Sequence, residues 1–520
     1  MARRPRKTPP PPPRPTAFQQ APAPRPRPAP DFAPDGGADR IRARAFDLLA
    51  EHGVAVVHET ARAALLAAGG RPGADNRQVR LPREMVAEAL ATTPRQARLC
   101  GKSPARDLTL PRSDGSFVMR TGTGAHGYVE PETSAWRNME IGDVETIARL
   151  ANGLDQVGFV AHPFSYGVHE LTSDIHGLAR LICTTDKHVW IQPYNIENVE
   201  YLVRIATLAA GGATALRARP IASVIMCSFS PLEFKVMDVE ALIQAGRAGL
   251  PVHACALPSA GGTAPLSVAG NVLMAVAEIL AMVTLGHVLA PGCPIIATPL
   301  MFTLDMATGQ ALHACPESVQ AKALAIQVLG AHERGGLGLI THTYGAGSDT
   351  PDAGRQSAAE RMGLGASVAM AGADILGGVG QLETATVFSP VQAVLDDEMG
   401  GWLRTLVAVP PVDDRAMNWD ELRKVGIGAH FLDSPHTLAE CRSQYRPQVW
   451  QRQGRDDYEA AGRAGAWEAA RDRALALIRA PLPDGLPGED LRAEIARVVA
   501  AADDHIIGKA QASTGAREVI

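Results

Sequence analysis

The sequence predicts an α/β protein whose body is a (β/α)8 barrel, with a helical segment before it and a helical extension after it. Three observations carry that prediction. Eight short β-rich runs recur at roughly 30 to 45 residues, each followed by a helical pattern, which is the rhythm of parallel βαβ units. The runs are continuously apolar rather than alternating, as strands buried on both faces are. The eight units together occupy about 290 residues, the length such a barrel needs. A doubly wound open sheet built from the same units is the alternative arrangement.

In order, the strand runs are SFVMRTG (116–122), VGFVAHPF (157–164), HVWIQPY (188–194), IASVIMCSFSP (221–231), PVHACALPS (251–259), PIIATPL (294–300), LGLITHTYG (337–345) and ILGGVGQ (375–381). Helical patterns such as DVETIARLANGLD, NVEYLVRIATLAAGG and ESVQAKALAIQVLGAHE fill the intervals. The longest apolar stretch, 264–290, is interrupted by Pro265, Asn271, Glu278 and His287, so it reads as a buried helix and not a membrane span. Four regions follow. Residues 1–38 are a Pro/Arg-rich tract expected to be disordered, because it has no apolar area to bury. Residues 39–115 are an Arg/Ala-rich helical segment, 116–410 the barrel, and 411–520 a helical extension with a loose end after about 505.

Composition excludes several classes. With 46% hydrophobic residues and a formal net charge of -5, the chain is globular and carries no basic excess for nucleic acid. Seven cysteines, among them Cys183, Cys227, Cys255 and Cys293 in or beside apolar runs, read as reduced buried thiols of a cytoplasmic protein.

In a barrel the site lies beyond the C-terminal strand ends, so the residues following each run are the candidates. They include Gly122, Gly124, His126 and Tyr128 after the first, and His162, Phe164 and Tyr166 after the second. Gln192 and Tyr194 follow the third run, Ser228 and Phe229 the fourth, and Gly261 and Gly262 the fifth. Phe302 follows the sixth, His342, Tyr344 and Asp349 belong to the seventh, and Gln381 and Glu383 to the eighth. Of 11 Phe and 7 Tyr, seven fall just after these runs: Tyr128, Phe164, Tyr166, Tyr194, Phe229, Phe302 and Tyr344. Such a set can hold a quaternary ammonium by cation–π attraction, or can cap the barrel as ordinary core. Only seven lysines occur and none ends a strand run, which weakens Schiff-base chemistry. His253 and Cys255, with Cys227, could ligate zinc but sit mid-strand and read as core, and the second His-Ala-Cys at 313–315 reads as coincidence of composition. Glu278, Glu317, Glu360 and the run Asp396–Glu398 lie in helical patterns and read as structural carboxylates. Asp349 and Glu383, in strand-end loops, are the better chemical candidates, and with His342 they form the catalytic set.

Several motifs point one way together. CSFSPLEF (227–234), LPSAGGTAPLSVAGNVLMAVAEILA, APGCPIIATPL, PESVQ, DAGRQSAAE (352–360), LDDEMGGWLRTL, FLDSPHTL and YRPQVW resemble the trimethylamine methyltransferase family, in order, over about 40–480. The resemblance implies a TIM barrel that moves a methyl group from a methylated amine to the Co(I) of a corrinoid carried by a separate protein, with no metal bound in this chain. Written in the twenty standard letters, the sequence resembles the branch without pyrrolysine, some of whose members demethylate glycine betaine. A tertiary amine must be made cationic before it can leave, whereas a quaternary amine already is, so the protein need only hold the cation, aim one methyl outward and exclude water. On that reading Tyr128, Phe164, Tyr194, Phe229, Phe302, Tyr344 and Gln381 bind substrate, and Gly261 and Gly262 offer backbone N–H groups at a helix start to a betaine carboxylate. A homo-oligomer without membrane or nucleic-acid partners is expected. The alternatives are a non-catalytic barrel that binds methylated amines and a zinc-dependent corrinoid methyltransferase using His253 and Cys255.

Overall fold

The computed structural model describes residues 30–515, with side chains as far as residue 511. The disorder expected over 1–29 lies outside the described residues. Eight parallel strands form a closed barrel: β1 Val118–Thr121, β2 Val157–Ala161, β3 His188–Ile191, β4 Ala222–Cys227, β5 Val252–Ala256, β6 Ile295–Pro299, β7 Ile340–Tyr344 and β8 Ile375–Val379. Each pairs with its neighbours in sequence, and β8 closes on β1 through Ile375 with Val118 and Val379 with Thr121. Every residue of β2, β5, β6, β7 and β8 is buried, which is why their sequences run apolar without alternation. All eight fall inside the predicted runs, which overshoot at the C-terminal end in every case and at the N-terminal end in five.

A helix follows each strand: α1 Ile141–Asn152, α2 Ser173–Thr184, α3 Asn198–Ala209, α4 Val236–Ala248, α5 Val268–Leu289, α6 Pro316–Leu329, α7 Arg355–Ala371 and α8 Pro390–Leu406. By length and composition α5 could cross a membrane, yet 72% of its apolar window is buried. It lies under the helices Gly37–Glu51 and Arg83–Thr92 and against α6, which explains a helix that is apolar all round.

Outside the barrel the sequence reading needs three corrections. The segment 39–115 is not only helical: Val54–Val56 pairs with Gln78 and Val79 and, in parallel, with Glu233–Phe234 from the loop after β4. Strands of three residues are too short to show a period of two. Order also begins before residue 38. Phe32 packs against the core, its N–H donates to Gln327 Oε1 at 2.8 Å, and the first helix opens at Gly37. Residues 505–515 are helical rather than loose, since the last helix runs Glu489–Gly515 along α3, with Tyr201 Oη 3.0 Å from His505 and Lys509 3.0 Å from Glu197. The remainder of the expected loose end lies outside the described residues.

Candidate functional site

Two small sheets rise above the C-terminal strand ends and wall the barrel mouth. Ser259–Ala260, Phe302–Leu304 and Ala311–Leu312 form one, from the loops after β5 and β6. Gly127–Val129, Trp136–Asn138, Gln381–Leu382 and Val387–Phe388 form the other, from the loops after β1 and β8. On the side of β1, β2, β3 and β8 the mouth opens into two cavities of about 640 and 800 Å³, with His126 in the wall of both.

The aromatic residues divide into two groups rather than one box. Phe302 and Tyr344 meet edge to face at 6.2 Å, and His313 stacks on Phe302 while meeting Tyr344 edge-on at 4.8 Å. Across the mouth Phe164 stacks on Tyr194 at 4.3 Å, and both line the larger cavity. Two expected members do not join them. Tyr128 is buried in the wall sheet with the Arg137 guanidinium 4.5 Å from its ring centre, and Phe229 is 55% exposed with Lys235 Nζ 3.5 Å from its own. Each ring already faces a cation of the protein, so neither is placed as the sequence reading had it.

Glu278 shows how the most specific motifs meet. It is fully buried on α5 and accepts hydrogen bonds from Ser228 Oγ (2.6 Å), Ser230 Oγ (2.9 Å) and Leu232 N (3.0 Å). The "AE" of the long helix thus anchors the CSFSPL loop, whose Leu232 has a positive φ of 59°. Burial pushes the carboxyl upward in pKa while these three donors oppose the shift. The Gly-Gly turn does something other than expected. Helix α5 starts only at Val268, capped by Ser267, so Gly261 and Gly262 are not at its N-terminus. Their N–H groups bond Ala264 O and Ser259 O at 3.0 Å each, leaving no donor for a carboxylate. Gly261 adopts φ 86°, and a Cβ on Gly262 would meet Leu304 at 2.9 Å, so the glycines serve the turn and its packing.

The three catalytic candidates separate. Asp349 accepts from His313 N (2.8 Å), Ala314 N (2.9 Å) and Thr384 Oγ1 (3.0 Å), so its carboxylate is occupied as a clamp between the loops after β6, β7 and β8. What it clamps is a run of three left-handed non-glycine residues, Glu383, Thr384 and Ala385, at φ 49°, 49° and 75°. Each such residue costs on the order of 1–3 kcal/mol unless the surroundings impose it. Gln381, buried, also holds this tip through Nε2 to Ala385 O at 3.0 Å, while its Oε1 has no partner. Glu383 itself is exposed and lines the smaller cavity. His342 is not at the mouth: it is the middle residue of β7, fully buried, and accepts from Arg120 Nε at 2.9 Å.

Beneath the mouth the barrel interior is unexpectedly polar. Arg120, His253 and His342 are buried together with Trp190 and Phe159, His253 Nδ1 lying 3.3 Å from His342 Nδ1 and its Nε2 3.1 Å from Ser223 Oγ. Burial, and the neighbouring positive charge of Arg120, hold both imidazoles far below their ordinary pKa, hence neutral. Among the described residues no group of three or more His, Cys, Asp or Glu is placed to hold a metal ion, so the zinc-dependent alternative finds no ligand set. Sequence reasoning missed Arg120 and Trp190, which lie inside strand runs, and His313, taken for coincidence. It also missed Lys322, which α6 brings under the mouth with Nζ donating to His313 O at 2.7 Å, burial lowering its pKa to about 7.

The family model for trimethylamine methyltransferase (MTTB) matches residues 3–502. The chain is 25% identical over 465 residues to the trimethylamine methyltransferase MttB of Desulfitobacterium hafniense (strain DSM 10664 / DCB-2), covering 89% of this chain and 92% of that protein. It is 26% identical over 428 residues to the glycine betaine methyltransferase of Desulfitobacterium hafniense (strain Y51), covering 81% and 86%. Among solved structures it is similar in fold to the Methanosarcina barkeri monomethylamine methyltransferase, with a TM-score of 0.52 at 11% identity over 86% of this chain and 88% of that one. The closed barrel, the motif pieces that meet at Glu278 and the family match agree, and the chain belongs to the trimethylamine methyltransferase family, a family of methyltransferases acting on methylated amines.

Proposed function

We propose that this chain takes a methyl group from a quaternary amine and delivers it to a corrinoid carried by a separate protein. The observation that carries the reading is the pairing of family membership with two aromatic pairs, Phe302–Tyr344 and Phe164–Tyr194, at the strand ends of a closed barrel. Rings of this kind attract a cation and desolvate it. Glu383, the exposed carboxylate on the rim, adds negative potential at the entrance. The N–CH3 bond breaks with its electron pair remaining on nitrogen, so the amine leaves neutral and no proton has to be supplied. That suits a mouth in which Asp349 is already occupied by three donors. The corrinoid's Co(I) supplies the attacking electron pair; the chain binds, orients and excludes water.

A docking face for the corrinoid protein is supported by apolar side chains exposed on the rim, Phe164, Tyr166, Phe229, Leu266 and Met306. A homo-oligomer is supported by a second exposed apolar region, where Val412, Trp419, Ile427, Leu432 and Leu438 are each more than half exposed. A cytoplasmic setting accords with seven free thiols. The test is methyl transfer from glycine betaine, carnitine and proline betaine to added cob(I)alamin, followed by its colour change. Transfer from a quaternary amine supports the reading. Binding without transfer, in the presence of a competent acceptor, favours the non-catalytic amine-binding barrel.

A further inference from the structure

Among the described residues two arginines are almost completely buried, and they are treated differently. Arg361 has its acid: Nη1 lies 2.8 Å from Asp396 and 2.9 Å from Ala346 O. Arg120 has none. Its Nε donates to neutral His342 and its Nη1 to Thr121 O at 2.8 Å, while Nη2 has no partner at hydrogen-bond distance and the Tyr344 phenol is the polar side chain directed toward the guanidinium. Burial lowers its pKa only to about 10, so it remains a cation at neutral pH. The groups that favour its charge are Tyr344 and Cys255, neither a carboxylate. A buried cation without a counter-charge costs several kcal/mol. A second donor beside it is equally unanswered: Trp190, whose ring lies 4.1 Å from the guanidinium, has no partner for Nε1.

The backbone is bent to admit this side chain. Pairing of β1 with β2 shifts register between Met119 and Arg120, and pairing with β8 shifts between Leu376 and Val379, so Gly377 and Gly378 together face Arg120. A Cβ on Gly377 would come within 2.9 Å of the guanidinium. Irregularities on both edges of one strand, meeting at one residue, re-aim a side chain and are typical of sites. Arg120, fully buried, lies 5.9 Å from the ring of Tyr344, which in turn meets Phe302 edge to face at 6.2 Å.

We infer that Arg120, with Trp190, receives the carboxylate of the substrate, and that this chain therefore selects quaternary amines bearing a carboxylate over simple methylamines. The carboxylate supplies the missing counter-charge and accepts from Nη2 and from the indole N–H. Two residues along a strand span about 6.6 Å. A short betaine anchored at Arg120 thus sets its trimethylammonium at the level of Tyr344 and Phe302, with a methyl toward the opening. This rests on the quaternary-amine reading above but is tested apart from it.

Calorimetric titration of the full chain with glycine betaine, its carbon isostere 3,3-dimethylbutanoate, and tetramethylammonium decides the matter without methyl transfer. Wild type should bind both carboxylates and bind tetramethylammonium at least tenfold more weakly. Arg120→Met should weaken both carboxylates by about a hundredfold, the worth of a charged hydrogen bond, and leave tetramethylammonium unchanged or tighter; Arg120→Lys should fall between. Equal binding of tetramethylammonium and glycine betaine by wild type overturns the inference and spares the quaternary-amine reading. Undiminished carboxylate binding by folded Arg120→Met, indicating a hydrated structural arginine, also overturns it. Binding of 3,3-dimethylbutanoate but of neither cationic ligand supports the anchor and overturns the quaternary-amine reading. Binding of none overturns both. Should Arg120→Met fail to fold, Arg120→Lys and Trp190→Phe carry the residue-level test: a loss confined to the two carboxylate ligands supports the anchor, and wild-type carboxylate affinity in both variants overturns it.

Discussion

The tripeptide His-Ala-Cys occurs twice, and its two copies divide the molecule into regions that follow different rules. His253-Ala254-Cys255 lies in β5, where the imidazole is locked between Ser223 and His342 inside the barrel. His313-Ala314-Cys315 lies just before α6, where the imidazole stacks on Phe302 at the mouth and neither ring nitrogen has a hydrogen-bond partner. In the interior His253 and His342 form a chain from Ser223 to Arg120 that holds the guanidinium in place. The mouth is a set of loops held from behind, by Glu278 after β4 and by Asp349 after β7, so that rings and unpaired groups remain at the opening. The same three residues become scaffold in one place and site in the other because strand geometry satisfies the first copy and loop geometry leaves the second unsatisfied.

If that division holds, changes to the buried anchors should cost stability, and changes to the rings should cost binding alone. The largest effect is expected at Glu278. Truncation to Ala leaves two hydroxyls and one N–H of the CSFSPL loop without their acceptor and opens a cavity, destabilising by about 3–5 kcal/mol in chemical denaturation. Glu278→Gln, which keeps the shape, should cost less than half of that. Equal losses would mean that shape plays no part in the anchor.

Next comes pH. Asp174 is buried on α2 and accepts from Tyr194 N at 2.9 Å and Asn198 Nδ2 at 2.6 Å, fixing the loop that carries Tyr194. Desolvation raises its pKa from 3.8 to about 7. The folded state keeps a proton that the unfolded chain releases near pH 4, so this group's contribution to stability declines as pH rises from about 4 to about 7 and is level above. Asp174→Asn should remove that decline, worth on the order of 4 kcal/mol, when the two unfolding profiles are subtracted. His162, whose pKa burial lowers to about 4, slopes the opposite way from pH 6.5 downward, which is why the difference profile and not the raw curve is the measurement.

Asp349→Ala should release the left-handed tip of Glu383–Ala385 and cost about 2–3 kcal/mol, the loss of acceptors for two buried N–H groups and a hydroxyl. A stability loss below about 0.5 kcal/mol, together with lost methyl transfer, would return Asp349 to a chemical role. The smallest effect belongs to the rings. Phe302→Ala and Tyr344→Ala should weaken glycine betaine by about 0.5–2 kcal/mol more than they weaken 3,3-dimethylbutanoate, which has carbon in place of the charged nitrogen. Identical losses for the two ligands would show that the rings only fill space and would erase the distinction between mouth and interior.

How much of this was legible beforehand follows from where each signal resides. The eight units, α5 as core and the family were readable because each depends on residues close together in the chain. Of the helical carboxylates read as structural, Asp396 pairs with Arg361 and Glu278 holds the loop after β4, partners that lie far off in sequence. The aromatic mouth was readable in part, since the end of a strand is a local property. Tyr128 and Phe229 departed from it because Arg137 and Lys235 reached their faces first, and no spacing rule foretells which cation arrives.

By itself, then, the sequence determined the eight βα units, their order and the set of rings near the strand ends, because strands buried on both faces run apolar throughout and helices repeat every third to fourth residue. Closure into a barrel rather than an open sheet was settled by the structure. Only the tertiary structure decided that Arg120 is buried without an acid, that His342 serves it from the next layer, which loop Glu278 holds, that the Asp349 carboxylate is already occupied by a loop tip, and that the Gly-Gly turn spends its own N–H groups. Each of these is a question of who satisfies whose charge or hydrogen bond. The partners are 50 residues apart at Ser228 and Glu278 and 222 apart at Arg120 and His342. Closure of the barrel brings such pairs together, and no local pattern records them.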